Sequence, residues 1–290
     1  MTLDRIPGTP YASGEGRIAR SWRLTRAAWR VVGHDDTLQG LAVLGVLAGL
    51  AGFALLLVLG GAFSGAGASR GHFLLMAALL AYPLTFTSVF INTAIAAAAA
   101  SALQGQPSST RQALAVAWSR AGRIAAWALI AALVGLLIEQ VASRLPGGGR
   151  IVARIAGYGW SLASLFAIPI LALEDCSPIE CLKRSTAMVK ECWGEGIAGS
   201  VIITAWTTIA ILLLGVAAAV AIPAAGSTEA TIIFVFFLGL ALIAVIAAQS
   251  VVRQTFVVAL YRYATTGNAE GPFSEDDLRA PFAPKRGRLR

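Results

Sequence analysis

Long apolar runs dominate the chain and are separated by short polar segments. A helix that crosses a bilayer needs about 20 mostly apolar residues. Six stretches meet or approach that length, at residues 38–63, 73–102, 124–141, 151–173, 197–222 and 231–260. The third is the shortest, whereas the second and the sixth exceed the bilayer and are expected to tilt, kink or extend beyond it. The pattern predicts an all-α, polytopic integral membrane helix bundle with about six spans and additional amphipathic helices at the inner face.

The composition agrees with a membrane protein and narrows the class of partner. Of the 290 residues, 57% are hydrophobic and only 13% are charged, which is too apolar for a soluble chain. The net charge of +8 would suggest nucleic acid if the basic residues formed a stripe on a soluble domain. Twenty-one of the 23 Lys and Arg residues lie instead between the apolar runs and at the termini. That placement favours anionic lipid headgroups as partners and not nucleic acid.

The positions of Lys and Arg predict the orientation, because basic residues are retained on the cytoplasmic side. Eighteen of the 23 lie in the N-terminal arm, the second and fourth connections and the C-terminal end, and three lie in the other connections. Residues 1–37 therefore form a basic cytoplasmic arm, 38–263 the six-span domain and 264–290 a basic cytoplasmic tail. The arm lacks the apolar core of a cleaved signal peptide. The predicted location is the bacterial cytoplasmic (inner) membrane.

The arm contains a segment with helical amphipathic spacing, residues 17–32, in which Ile18, Trp22, Thr25 and Trp29 fall on one side. Such a helix lies at the interface, with indoles at headgroup level and arginines near phosphates. The candidate headgroup-binding residues are Arg17, Arg20, Trp22, Arg23, Trp29 and Arg30. The alternative is that this helix only anchors and orients the first span.

The fourth connection has the most distinctive motif, with Ser177 three residues before Glu180 and Pro178 at the first helical position. This is a capping box, which predicts that a helix begins there. The residues singled out are Glu174, Asp175, Ser177, Pro178, Glu180 and Arg184. Ser109 and Gln112 repeat the form in the second connection. The three cysteines, at 176, 181 and 192, lack zinc-ligand spacing and are predicted to be reduced thiols.

Polar residues inside the predicted spans are costly to bury and are therefore candidates for function. They are Asn92, Glu139, Arg154 and Arg253. Equal distances from the turn at 146–149 predict an ion pair between Glu139 and Arg154, and the alternative is that each side chain reaches water separately. Similar depths predict that Arg253 meets Glu174 or Asp175, and the alternative is that Arg253 is a solitary interfacial anchor. Gly45 and Gly49 form a G-x-x-x-G pattern, for which packing within the monomer is favoured over a dimer interface.

No catalytic residue is predicted. The two histidines are assigned to opposite faces, and no hydrolase, protease or phosphate-loop motif appears in its required context. Glu174 and Asp175 could form an acid/base or metal pair, but charges at a helix boundary beside a capping box explain them without another partner. We therefore predict a protein that is not an enzyme and has no metal or cofactor.

Three segments resemble an uncharacterised bacterial multi-pass membrane family: Arg20-Ser-Trp22 with Ala28-Trp29-Arg30-Val31, the run from Pro169 to Ser185, and Tyr261-Arg-Tyr263-Ala. More distantly, the central motif is similar to the membrane-spanning domain fused to some glycerophosphodiester phosphodiesterases. The resemblance implies a helical membrane domain and transfers no catalytic residue.

Three functional hypotheses remain open from the sequence. The first is a non-enzymatic membrane protein whose inner-face helices engage lipid or an unidentified protein partner. The second is a small-molecule transporter or channel that uses Asn92, Pro83, Pro169 and the polar end of the sixth span. The third is an intramembrane lipid-modifying enzyme, which lacks a recognisable acid/base and metal set.

Overall fold

The computed structural model describes residues 17–64, 70–145, 149–191, 212–213, 215–216, 227–275 and 278. Nine helices have both of their ends in that part of the chain, and no strand occurs there. They are α1 (Arg17–His34), α2 (Asp36–Ser64), α3 (Arg70–Leu103), α4 (Thr110–Ser119), α5 (Ala121–Arg144), α6 (Gly149–Ala163), α7 (Ala167–Leu173), α8 (Pro178–Glu191) and α9 (Thr228–Thr266). The predicted all-α class is confirmed.

Four helical segments of the described chain are long and apolar enough to cross a membrane. They are Ala81–Leu103, Ala121–Arg144, Gly149–Leu173 and Ile233–Thr266. The helix α2 covers the predicted first span, and its Asp36–Gly52 part is a shorter apolar helix. Apart from four residues, the predicted fifth span at 197–222 lies outside the described residues, so the number six stays a prediction. The apolar helices indicate a helical membrane protein.

The fourth predicted span is interrupted, which the sequence pattern did not predict. Residues 164–166 form a turn between α6 and α7, and α7 begins two residues before Pro169. A proline inside a continuous helix would clash with the carbonyl of the residue four positions earlier, here Leu165. Placing Pro169 in the first turn of a new helix avoids that clash and changes the direction of the chain before the fourth connection.

The helix α3 is central, because it contacts α2, α4, α5, α7 and α9. Its C-terminal half is rich in alanine, and Ala94, Ala96, Ala98 and Ala99 are almost completely buried. Small side chains let several helices approach one axis closely, as is common in membrane bundles. The buried core therefore lies around this half of α3, near the end of the bundle where α4 begins.

Three glycines of α2 lie where this helix packs against α9 and α3. A β carbon on Gly45 would lie 3.6 Å from Ala247 Cβ, and one on Gly49 would lie 2.8 Å from Ile243 Cγ2. On Gly52, a β carbon would lie 2.8 Å from Leu84 Cδ2 of α3. The G-x-x-x-G pattern therefore packs α2 against α9 within the monomer, which confirms the sequence interpretation.

The helices α5 and α6 pack against each other but leave much of their apolar surface uncovered. Large side chains are exposed along both helices: Leu129, Leu133, Leu137, Val141, Ile151, Ile155 and Tyr158. In a bilayer such a surface contacts lipid chains at no cost, since those chains are as apolar as leucine. This pair of helices lies at the periphery of the described bundle.

Candidate functional site

The helix α1 divides into a buried stripe and an exposed face. It packs against α9 and α2 through side chains that recur on one side of the helix: Leu24, Thr25, Ala28 and Val32. Trp22 and Trp29 lie two turns apart on the exposed face. Thr25, which helical spacing places beside these indoles, is nevertheless buried, because packing against the bundle, and not hydropathy alone, selects which residues are covered.

Arginines accompany the two tryptophans on the exposed face of α1. Arg23 and Arg30 are exposed, and the guanidinium carbon of Arg26 lies 5.9 Å from the ring centroid of Trp22. This cation–π contact was missed from the sequence, although Arg26 lies one turn after Trp22 and i, i+4 pairs meet on a helix. The side chains of Arg17 and Arg20 lie outside the described part of the chain.

Glu174 connects three helices at the end of α7. Its Oε1 accepts a hydrogen bond from the hydroxyl of Tyr261 in α9, and its Oε2 forms an ion pair with Arg184 in α8. The expected contact with Arg253 is wrong, since Arg253 forms no ion pair among the described residues. Tyr261 lies eight residues further along α9, or about 12 Å. The sequence prediction assumed that the last span ends after about 20 residues, near Arg253. Because α9 is longer than one span, a later turn of the helix, with Tyr261, lies beside Glu174.

The neighbouring carboxylate, Asp175, pairs with a different arginine. Its Oδ1 lies 2.5 Å from an Nη atom of Arg123 in the first turn of α5. Arg120, just before α5, donates to the backbone carbonyl of Ala172. Burial, followed by the nearby Arg123, lowers the pKa of Arg120, and Asp175 opposes this effect. The two adjacent carboxylates therefore bind separate cations and do not form a shared acid/base pair.

The predicted capping box at the start of α8 is confirmed. Glu180 Oε2 accepts from the backbone N–H of Ser177 at 2.9 Å, and Ser177 Oγ accepts from the N–H of Glu180 at 3.4 Å. The backbone hydrogen bond from Ser177 is the main cause that lowers the pKa of Glu180. Pro178 is the first residue of α8. The box in the second connection, Ser109 with Gln112, is also formed.

Two of the cysteines form a disulfide, which contradicts the prediction of reduced thiols. Cys176 and Cys181 are bonded across a Cα–Cα distance of 6.0 Å, and both are buried. The bond joins the turn after α7 to the first turn of α8. The spacing of five residues is not C-x-x-C, so the sequence alone indicates no disulfide, whereas the turn before α8 brings the two cysteines together. Cys192 lies outside the described residues.

The polar residues inside the spans behave differently from one another. Asn92 Oδ1 accepts from the hydroxyl of Ser250 at 2.9 Å, which joins α3 to α9. Glu139 and Arg154 are exposed and form no ion pair in the described part of the bundle. The predicted pair is wrong, because equal depth along two packed helices does not determine which way each side chain points.

The contacts around Glu174 belong to a larger polar layer that we call the polar end. Arg262 in α9 binds Glu270 through two hydrogen bonds, of 2.5 and 2.7 Å. With the side-chain amide of Gln104 turned so that its oxygen faces Arg262, this oxygen accepts a hydrogen bond from Nη2 of Arg262 at 2.5 Å. The hydroxyl of Thr37 donates to the carbonyl of Ser108 at 2.8 Å. The described parts of the four segments rich in Lys and Arg therefore meet at one end of the bundle.

Metal-ligating side chains do not cluster in the described chain. No group of three or more His, Cys, Asp or Glu residues there has a geometry that could hold a metal ion. The polar end instead consists of arginines, single carboxylates and hydroxyls, which suit charge pairing and the binding of anions.

Comparison with known sequences places the chain in a family. The sequence model of a family of unknown function, DUF6159, matches residues 71–271. The chain belongs to this family. No curated protein and no solved structure matches the chain. The DUF6159 match spans the polar end from Gln104 to Glu270 and leaves α1 and α2 outside it. The more distant resemblance to the phosphodiesterase membrane domain stays a prediction.

Proposed function

We propose that this DUF6159 protein is a non-enzymatic, multi-pass protein of the bacterial cytoplasmic membrane whose helix α1 binds anionic lipid headgroups. The observation that carries the proposal is the division of α1 into two faces. One face is buried against α9 and α2, which fixes the helix on the bundle. The other exposes Trp22 and Trp29 beside arginines. Indoles prefer the headgroup region, and guanidinium groups bind phosphates.

The proposed orientation places the polar end in the cytoplasm. The asymmetry of Lys and Arg in the sequence supports it, since eighteen of these residues belong to the four segments whose described parts meet there. The disulfide between Cys176 and Cys181 argues the other way, because such bonds persist mainly in oxidising compartments. The charges outweigh the disulfide, because they are distributed over four separate segments of the chain, whereas the disulfide is one local pair with both sulfurs buried.

The headgroup proposal is tested by removing charge from α1. The full chain carrying Arg26→Gln and Arg30→Gln is reconstituted in nanodiscs that contain phosphatidylcholine and phosphatidylglycerol. Native mass spectrometry then counts the phosphatidylglycerol that the released protein retains. Each basic residue near an anionic surface contributes about 1 kcal/mol, so association with the anionic lipid should weaken roughly 30-fold.

The matched control removes the same charge from the other end of the bundle. Arg144 and Arg150 are both exposed near the α5–α6 turn, far from α1 in the predicted topology. A variant with Arg144→Gln and Arg150→Gln should retain phosphatidylglycerol like the wild type. Equal losses in the two double variants would show only a general effect of net charge, and the α1 proposal would be abandoned.

A second candidate function, transport of a small polar molecule, has one observation in its favour. Asn92 and Ser250 form a polar contact between two candidate spans. Gln254 lies four residues after Ser250, and its Nε2 is buried without a hydrogen-bond partner in the described structure. Polar groups at such depth are characteristic of transport pathways. Transport requires water to reach this contact, which thiol labelling of a Ser250→Cys variant in sealed vesicles measures directly.

A further inference from the structure

Two arginines lie together at the corner where α4 ends and α5 begins. Arg120 immediately precedes α5, and Arg123 lies in the first turn of that helix. The first turn of α5 contains no acidic residue, and no side chain caps the backbone N–H groups of that turn. A helix N-terminus already carries partial positive charge, which acidic side chains usually balance. Positive charge therefore accumulates at this corner.

The counter-charge that the protein supplies here is incomplete. Asp175 is the carboxylate that pairs with Arg123, and its side chain is 86% exposed, so water weakens the attraction. The nearby Glu174 is bound to Arg184 and Tyr261. Arg120 has a neutral acceptor, the carbonyl of Ala172. The corner therefore retains more positive than negative charge.

Both arginines also have buried N–H groups that lack an acceptor. Nε of Arg120 and Nη1 of Arg123 are each buried, and neither has a hydrogen-bond partner in the described part of the protein. Buried donors without partners are costly, especially on charged groups. A ligand with anionic oxygens supplies the missing acceptors once each guanidinium turns toward it. The planar guanidinium fits phosphate oxygens in this way.

The residues beside the corner are typical of the membrane surface. Trp118, two residues before Arg120, is 73% exposed, and Ile179 in the first turn of α8 is also exposed. An exposed indole next to arginines is typical of the depth at which lipid phosphates lie. A lipid headgroup is therefore the favoured source of the phosphate, and free phosphate is the other source with the same chemistry.

We propose that Arg120 and Arg123 form a binding site for a phosphate group at the corner between α4 and α5. The site is separate from the exposed face of α1 and does not depend on the function proposed for that face. Asp175 competes with the ligand for Arg123, since it occupies one side of the guanidinium at 2.5 Å. Loss of the aspartate charge should therefore strengthen binding, while loss of the Arg123 charge should weaken it.

The experiment measures thermal unfolding of the full chain in a neutral detergent. Short-chain phosphatidylglycerol, short-chain phosphatidylcholine and inorganic phosphate are titrated separately, because a ligand that binds the folded state raises the unfolding temperature. Arg123→Gln should weaken the apparent affinity for the active ligand about tenfold. Asp175→Asn should strengthen it about threefold. Arg111→Gln removes an exposed arginine from α4 and is the control for charge alone.

The outcomes distinguish the two sources and can overturn the proposal. Saturation by phosphatidylglycerol alone identifies a lipid headgroup, and saturation by inorganic phosphate identifies the free anion. The proposal is overturned if neither phosphatidylglycerol nor inorganic phosphate gives a saturable shift, or if the Arg123→Gln variant binds the active ligand as well as the Arg111→Gln variant does. If Arg123→Gln does not fold, Asp175→Asn decides the question, because tighter binding supports the site and unchanged binding contradicts it.

Discussion

Replacing Tyr261 with phenylalanine removes the hydroxyl that donates to Glu174 and leaves the ring in the core. Tyr261 is 5% exposed, and the side chain of Glu174 is 28% exposed, so solvent screens this hydrogen bond only partly. A hydrogen bond to a charged group contributes about 1.5–3 kcal/mol. Glu174 keeps Arg184 after the substitution, so we expect the lower end of that range, a loss of about 1.5 kcal/mol in the free energy of unfolding.

Arg184→Gln is the matched comparison, because it removes the other partner of the same carboxylate. The side chain of Arg184 is 60% exposed, so its loss should cost only about 0.5 kcal/mol. Equilibrium unfolding in mixed micelles, followed by circular dichroism, measures both variants. Double-mutant cycles with Glu174→Gln then isolate each coupling energy. The reasoning is refuted if the two coupling energies are equal, or if Tyr261→Phe is as stable as the wild type.

Two further predictions concern packing and orientation. Gly45→Ala should be tolerated and gain up to about 1 kcal/mol of helix stability, whereas Gly49→Ala should lower the unfolding temperature, because its β carbon would lie 2.8 Å from Ile243 Cγ2. Equal unfolding temperatures for the two variants would contradict this contact. In a Cys192→Ser background, Gln106→Cys should react with an impermeant maleimide only from the cytoplasmic side, and periplasmic labelling would reverse the proposed topology.

Features that depend on neighbouring residues along the chain could be predicted from the sequence. The capping boxes at Ser109 and Ser177 were recognisable, because the required partner lies three residues later and the geometry is local. The spacing at residues 17–32 predicts a helix for the same reason, and the observed helix extends from 17 to 34. The glycines of α2 also indicated close packing, although the sequence did not specify α9 as the partner.

Features that depend on which helices become neighbours could not be predicted in this way. The partner of Glu174 proved to be Tyr261 and not Arg253, because α9 continues beyond the length of one span. Thr25 proved to be buried, because α9 and α2 cover that side of α1. The site at the corner between α4 and α5 was not predicted, since Arg120 and Arg123 appear in the sequence only as two charges in a connection. Its distinguishing feature, buried donors without acceptors, exists only in the folded chain.

The uncovered surface of α5 and α6 has a consequence for how the sequence can change. Where a side chain such as Leu137 or Ile155 faces outward, its neighbours are fluid acyl chains that adapt to any apolar shape. Exchange of one large apolar residue for another there should leave the fold intact. At Gly49 the neighbour is a fixed side chain, and even one added methyl group must displace it. Sequence variation should therefore accumulate on the exposed surfaces of α5 and α6 and be rare at the contact glycines of α2, Gly45, Gly49 and Gly52.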